Sequence, residues 1–219
     1  MAMLDRLEPV RRESTASIIA DQLRAAIMDG LMPPGTQMGE SELASRLGVS
    51  RGPLREAMQR LVQEGLLRSE RHRGLFVTSL EPDDIHDLYV ARTAVERAAA
   101  MLVLRGTPQK TAARLGEVHA QMVEAARGGE LEVLADADLR FHDLFIAESG
   151  SPRLQRMAGS LLVETRICMR ALKGKYAVPA DLAAEHGLII ERIRDGDVDA
   201  LLAVVEEHMK DAEYRLAST

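Results

Sequence analysis

Residues Glu40 to Val77 read ESELASRLGVSRGPLREAMQRLVQEGLLRSERHRGLFV, and this stretch decides the fold. In its first part Leu43, Ala44 and Leu47 share one face at i, i+1 and i+4. In its second part Leu54, Ala57, Met58, Leu61 and Val62 recur at helical spacing. Each part is therefore an amphipathic helix with one face to bury. Between them Gly48 suits the left-handed position after a helix end, and Ser50 can cap the next helix. Pro53 falls in a first turn, where its missing N–H does no harm. The pattern predicts a helix-turn-helix. After Gly65, residues 66–69 and 75–78 read as two short strands around Glu70-Arg71-His72-Arg73-Gly74, which makes a basic wing.

The outward face of the second helix carries Arg51 and Arg55, side by side at the end that meets base edges in such motifs. A guanidinium can fork onto the O6 and N7 acceptors of guanine. Between residues 46 and 73, Arg46, Arg51, Arg55, Arg60, Arg68, Arg71 and Arg73 face only Glu56, Glu64 and Glu70, so this segment is +4 in a chain of net charge −6. A local basic patch in an acidic chain favours a nucleic-acid face over a merely solvated surface.

The run from PGTQMGESELASRLGVSRGPLREA to the RGLFV wing resembles the winged-helix domain of GntR-type bacterial transcription regulators over nearly all of residues 15–78. The resemblance implies that Ser50, Arg51 and Arg55 meet double-stranded DNA through the recognition helix, and Arg46, on the first helix of the motif, is a further DNA-binding candidate in the same basic stretch. It assigns His72, Arg73 and Gly74 to a wing tip in the minor groove. Fatty-acid-responsive members of that family have a further basic residue where this chain has Ser41, so the resemblance implies no particular operator.

Working outward, 219 residues suffice for two modest domains, each with its own core. Aromatic residues make up 3% of the chain and Trp is absent, so those cores must be built from Leu, Ala, Val, Ile and Met. Residues 1–13 mix charges with few apolar positions and are expected to form a mobile arm. Residues 14–30 form a helix with Ile18, Ile19, Leu23, Ala26 and Ile27 inward, and Leu31 to Gly35 is a turn that contains two prolines. No segment has transmembrane length, and the first residues lack the apolar core of a signal peptide, so a cytoplasmic location is expected. A lone cysteine, Cys168, excludes an internal disulfide framework.

From Leu80-Glu81-Pro82 onward the pattern is wholly helical, which sets the boundary between a domain at 14–79 and one at 80–219. Six helices are expected, at 82–105, 108–127, 130–148, 151–174, 179–195 and 197–216, with breaks at Gly- and Pro-containing turns. The fold class is mainly α: an N-terminal winged helix-turn-helix and a C-terminal antiparallel helical bundle. The first domain carries net charge +1 and residues 81–219 carry −7, so phosphate contact belongs to the first domain.

In the bundle, polar residues occupy positions where the helical pattern asks for apolar ones. Asp138 and His142 share a stripe with Leu134 and Phe145; His186 lies among Leu182, Ile189, Ile190 and Ile193; His208 aligns with Leu201, Val204, Val205 and Ala212. A buried carboxylate and three buried imidazoles need partners. One divalent ion such as Zn, Ni, Mn or Fe satisfies all four, whereas separate core hydrogen bonds would serve each histidine singly. A metal that prefers five or six ligands would keep positions open for a small organic acid. Arg92 lies on the stripe Ile85, Leu88, Val95, Ala99, Leu102, so its guanidinium points inward, toward such a carboxylate or toward Glu96 one turn on. Arg166 and Arg170 are weaker effector-binding candidates, and His86 and His119 read as ordinary helix residues.

The segments DLRFH, EHGLIIERI and EEHM also resemble the C-terminal ligand domain, called FCD, of the fatty-acid-regulator branch, in its shorter six-helix subgroup. In metal-binding members one Asp and three His hold the ion, which match Asp138, His142, His186 and His208, and an arginine in an RTAVE-like segment grips the effector. The combined expectation is a homodimeric, ligand-responsive regulator that reads a pseudo-palindromic operator with two winged helices. The rival is a metal-dependent enzyme acting on a small carboxylate. It lacks a free general base, since Asp138 is used as a ligand and no zinc-protease His-Glu motif is present.

Overall fold

The computed structural model describes residues 14–171 and 179–217. The arm expected over 1–13, and the end of the fourth bundle helix expected at 172–174, lie outside the described residues. Two compact units emerge, the first taking in the described residues up to Gln63 together with Leu67–Val77, the second Glu64–Leu66 and those from Thr78 onward.

In the first unit α1 (Thr15–Met28) and α2 (Glu40–Leu47) both pack on α3 (Arg51–Gln63). Ser14 starts α1 by accepting a bond from the Ser17 backbone N–H at 3.1 Å. Gly48 ends α2 with φ of 63°, the left-handed geometry expected for it. The buried face of α1 is Ala16, Ile19, Ala20, Leu23 and Ile27, not the one read from its large residues: Ile18 is 45% exposed and Ala26 half-buried. Small alanines at 16 and 20 complete the i, i+3, i+4 stripe and leave Ile18 nearly half a turn from its centre.

The wing pairs β1 (Leu67–Glu70) with β2 (Gly74–Val77) antiparallel, Leu67 opposite Val77 and Glu70 opposite Gly74. Its three-residue turn holds His72 at φ of 63°, a left-handed conformation that costs a non-glycine residue about 1 kcal/mol. Residues 36–38, between the proline-containing turn and α2, run along the other edge of β2. Met38 N–H donates to the Leu75 carbonyl at 2.8 Å and Val77 N–H to that of Thr36 at 2.9 Å. The wing thereby gains a third extended segment.

The second unit is an antiparallel bundle of α4 (Pro82–Arg105), α5 (Pro108–Gly128), α6 (Leu131–Glu148), α7 (Pro152–Ala171), α8 (Pro179–Asp195) and α9 (Val198–Ala217). A reciprocal capping box between Glu81 and Asp84, with Pro82 in the first position, fixes the start of α4. Phe141 and Phe145 of α6 are wholly buried against Leu115, Met122, Ile189, Ile193 and Leu201. Each such aromatic side chain contributes roughly 1.5–3 kcal/mol by leaving water. On α4 the buried stripe ends at Val103 rather than Leu102, which is 36% exposed. The helix α4 packs against α6, α7 and α9, and α8 packs against α5 and α9, so side chains from four helices can meet in one place.

Candidate functional site

Asp138 and His142 on α6, His186 on α8 and His208 on α9 are all buried, and one ligand atom from each lies within 4.8 Å of the others. The sequence placed each of them on an apolar stripe, and folding brings the stripes together. Among the described residues this is the group of His, Cys, Asp and Glu side chains arranged to hold a metal ion.

The hydrogen bonds identify which ring nitrogen of each histidine is available. His186 Nδ1 lies 2.8 Å from the Leu182 carbonyl, His142 Nδ1 2.7 Å from Glu96 Oε2 and His208 Nδ1 2.8 Å from Glu185 Oε2. Carbonyl and carboxylate oxygens only accept, so all three Nδ1 atoms carry the proton and donate. In neutral rings the Nε2 atoms then present lone pairs, and these face one another: His142 Nε2 is 3.3 Å from that of His186 and 3.1 Å from that of His208. Asp138 Oδ1 stands 3.0 Å from His186 Nε2 and 3.9 Å from His142 Nε2. Three nitrogen lone pairs and a carboxylate converging on one dry point repel one another unless a cation lies between them. An Nδ1–H held by an outer carboxylate or carbonyl is also the usual arrangement behind a metal-bound imidazole. The residues present fit a divalent ion.

Glu96 and Glu185 were not among the site residues read from the sequence. Glu96 lies one turn beyond Arg92, and its carboxylate joins two partners, accepting from His142 with Oε2 and from Arg92 Nη2 with Oε1 at 2.9 Å. Burial works against its charge, but His142 and Arg92 outweigh that and hold its carboxyl down at about 2. Glu185 is gripped in the same way by His208 and by both terminal nitrogens of Arg215, at 2.7 and 2.9 Å, and is likewise held at about 2 despite partial burial. For Asp138, the close approach of His186 and the other two imidazoles outweighs burial and keeps it well below the usual carboxylate range. Burial, reinforced by His186, lowers His208 to about 4 against the pull of Glu185. Arg215 follows His208 by two helical turns and so shares its side of the helix, whereas no spacing ties Glu96 to His142 or Glu185 to His208.

Arg92 is 3% exposed and donates to Glu96, to Tyr89 Oη at 3.3 Å and to Thr165 Oγ1 at 3.4 Å, while its Nε is buried without a partner among the described residues. Of the two partners the sequence left open, Glu96 is the one it holds in this structure. A cavity of about 30 Å3 lies against Tyr89, Arg92, Asp138, His142, His208 and Arg215, with Met169, Leu182, Ala212 and Leu216 as its apolar side. Arg166 and Arg170 do not line it: Arg166 pairs with Asp136 at 3.2 Å, and Arg170 is exposed. Of the two bland histidines, His119 bonds the Ala183 carbonyl at 2.8 Å and His86 pairs with Glu213 at the surface.

These shifts predict an acid-sensitive bundle in protein stripped of metal. His208 takes a proton near pH 6.5 when unfolded but only near 4 when folded, so between those values the unfolded state binds more protons and stability falls as pH falls. Glu96 and Glu185, whose folded values lie below their unfolded ones, contribute stability above about pH 4.5 that is lost on descent toward 2. Chelator-treated protein should therefore melt progressively lower from pH 6.5 downward. A melting temperature flat from pH 6.5 to 4 in calorimetry would contradict this.

In the first unit Arg46, Ser50, Arg51, Arg55, His72, Arg73 and Gly74 are all exposed. Arg51 Nη2 donates to Ser41 Oγ at 2.9 Å, Arg55 Nε to Glu40 at 2.8 Å, and Arg46 stands 4.0 Å from Glu42. Arg73 bonds Glu70 and lies over the Phe76 ring, 5.1 Å from its centroid. Exposed pairs of this kind contribute at most about 1 kcal/mol each, so a phosphate or a guanine edge can compete for these guanidiniums.

A winged helix with basic side chains on its second motif helix, joined in one chain to a helical bundle with a polar centre, defines a transcription regulator that carries a ligand domain. Residues 15–77 match the family model described as bacterial regulatory proteins, gntR family, and residues 87–211 match the FCD domain. The chain is 30% identical over 199 residues to the HTH-type transcriptional regulator YdhC of Bacillus subtilis strain 168, an alignment covering 89% of this chain and 88% of that one. It is 28% identical over 210 residues to the gluconate operon transcriptional repressor of Bacillus licheniformis, covering 94% and 86% of the two chains. The crystal structure of a GntR transcriptional regulator from Rhodococcus sp. RHA1 superimposes with a TM-score of 0.77 at 26% identity, covering 94% of this chain and 99% of that one. The protein belongs to the GntR family of bacterial transcription regulators, in its FCD-domain branch, and these relatives are regulators rather than enzymes.

Proposed function

We propose that this regulator is a repressor whose bundle binds one divalent metal ion through Asp138, His142, His186 and His208, and a small organic acid beside it. The observation that carries this reading is the convergence of three unprotonated Nε2 atoms and one carboxylate on a single buried point. When bound, the ion supplies a Lewis acid for the acid's carboxylate. Glu96, Glu185 and the Leu182 carbonyl hold the three imidazoles in the required tautomer, and Arg92 gives the carboxylate its second anchor. Because Asp138 and His142 stand on α6, His186 on α8 and His208 on α9, the site ties three helices, and Arg92 adds α4. The helix α4 begins five residues after β2 ends, so a shift in it is the shortest covalent route from the acid to the wing. The acid then favours one of two arrangements of the DNA-reading units, with a coupling of about 1–3 kcal/mol.

In Arg92→Ala the metal should remain while the affinity for the acid falls by about tenfold or more, since a charged hydrogen-bond donor is removed from a dry site. Calorimetric titration of the zinc-loaded variant, with metal content measured in parallel, checks this. Loss of the metal itself would show that Arg92 acts through Glu96 on the ligand set instead.

DNA recognition falls to Ser50, Arg51 and Arg55 of the helix-turn-helix, with Arg46 nearby and His72, Arg73 and Gly74 at the wing. Two such units reading half-sites require a dimer, formed by residues 80–219, with the alanine-rich helix α4 permitting close packing. Its outward face shows Val90 at 53% and Met101 at 38% exposure with Ala94 between them, apolar positions that a second copy would cover. Light scattering at micromolar concentration should give a mass of two chains, and a monomer there would contradict the dimer.

A further inference from the structure

The charges around the cavity constrain what it can hold, and this step rests on the metal-and-acid reading above. Arg92 is matched by Glu96 at 2.9 Å, and Arg215 by Glu185 through two bonds. Asp138 adds one further negative charge. With a divalent ion held by neutral imidazoles, the assembly carries one net positive charge. A single carboxylate cancels it.

A second carboxylate on the same small molecule would meet two obstacles. Both arginines that line the cavity already hold a carboxylate, and apart from the uncharged Tyr89 hydroxyl, which accepts from Arg92, the remaining wall is apolar: Met169, Leu182, Ala212 and Leu216. An anion placed against that wall loses its hydration without gaining a counter-charge. The volume of about 30 Å3 also admits only a short molecule unless side chains move aside. We propose that the cavity selects small monocarboxylates, with a hydroxyl or keto oxygen next to the carboxylate to complete a chelate, and discriminates against dicarboxylates of similar length.

The test is calorimetric titration of the zinc-loaded full chain with glycolate and L-lactate against malonate and L-malate, at one pH and ionic strength. The monocarboxylates are expected to bind at least about tenfold more tightly. Equal or tighter binding of malonate or malate overturns this inference and leaves the metal-and-acid reading intact. Binding of none of the four, with zinc retained, overturns both. Glu185→Gln supplies a second arm, because it keeps an oxygen acceptor for His208 Nδ1 but removes the charge opposite Arg215. In that variant the malonate-to-glycolate affinity ratio should rise by about tenfold, and an unchanged ratio would overturn the charge argument.

Discussion

Protein carrying His208→Ala will purify without stoichiometric metal, melt lower than the parent by about 8 °C or more, and no longer respond to any acid. The size follows from linkage: an ion present at a thousand times its dissociation constant stabilises the folded state by about 4 kcal/mol, and a chain of this length shifts by about 2–4 °C per kcal/mol. The alanine removes one of three converging Nε2 atoms, leaves Glu185 without its imidazole partner and opens a gap in the bundle. Because the affected residues lie in the second unit, binding to DNA should persist or lock in one state. Elemental analysis with differential scanning calorimetry reads both effects, and an unchanged melting temperature with metal retained would remove His208 from the ligand set.

Arg55→Ala should weaken binding to the specific operator by about 1–3 kcal/mol, roughly five- to 150-fold, while binding to a scrambled duplex changes far less. Its guanidinium is exposed and pairs with Glu40 among the described residues, so the loss to folding stability should stay within about 0.5 kcal/mol. Fluorescence anisotropy on duplexes from the flank of the protein's own coding region separates the two DNA effects. Equal losses on specific and scrambled DNA would assign Arg55 to the phosphate backbone rather than to bases.

The four candidate ligands were legible because polar residues on apolar helical stripes are conspicuous: Asp138, His142, His186 and His208 each interrupt a run of Leu, Ile, Val or Phe. The residues behind them were not. Glu96 was legible only as a possible partner of Arg92, and Glu185 looks like the outward charge of an ordinary amphipathic helix; only the packing of α4 against α6 and of α8 against α9 makes them partners of His142 and His208. Arg92 shows the same limit, since its stripe turned it inward but could not decide between Glu96 and a ligand. In the first unit the large side chain of Ile18 drew attention away from Ala16 and Ala20, whose smallness lets α1 approach α3. The third extended segment of the wing was invisible for a different reason: Thr36, Gln37 and Met38 are recruited by β2 through backbone bonds alone, which leave no periodic signature in the side chains.

Metal analysis of protein purified without chelators tests the central claim most directly. Close to one divalent ion per chain is expected, with its removal lowering the melting temperature and zinc, nickel or manganese restoring it. A chain that carries no ion, and whose melting temperature is unmoved by any of the three, would return His142, His186 and His208 to plain core hydrogen bonding.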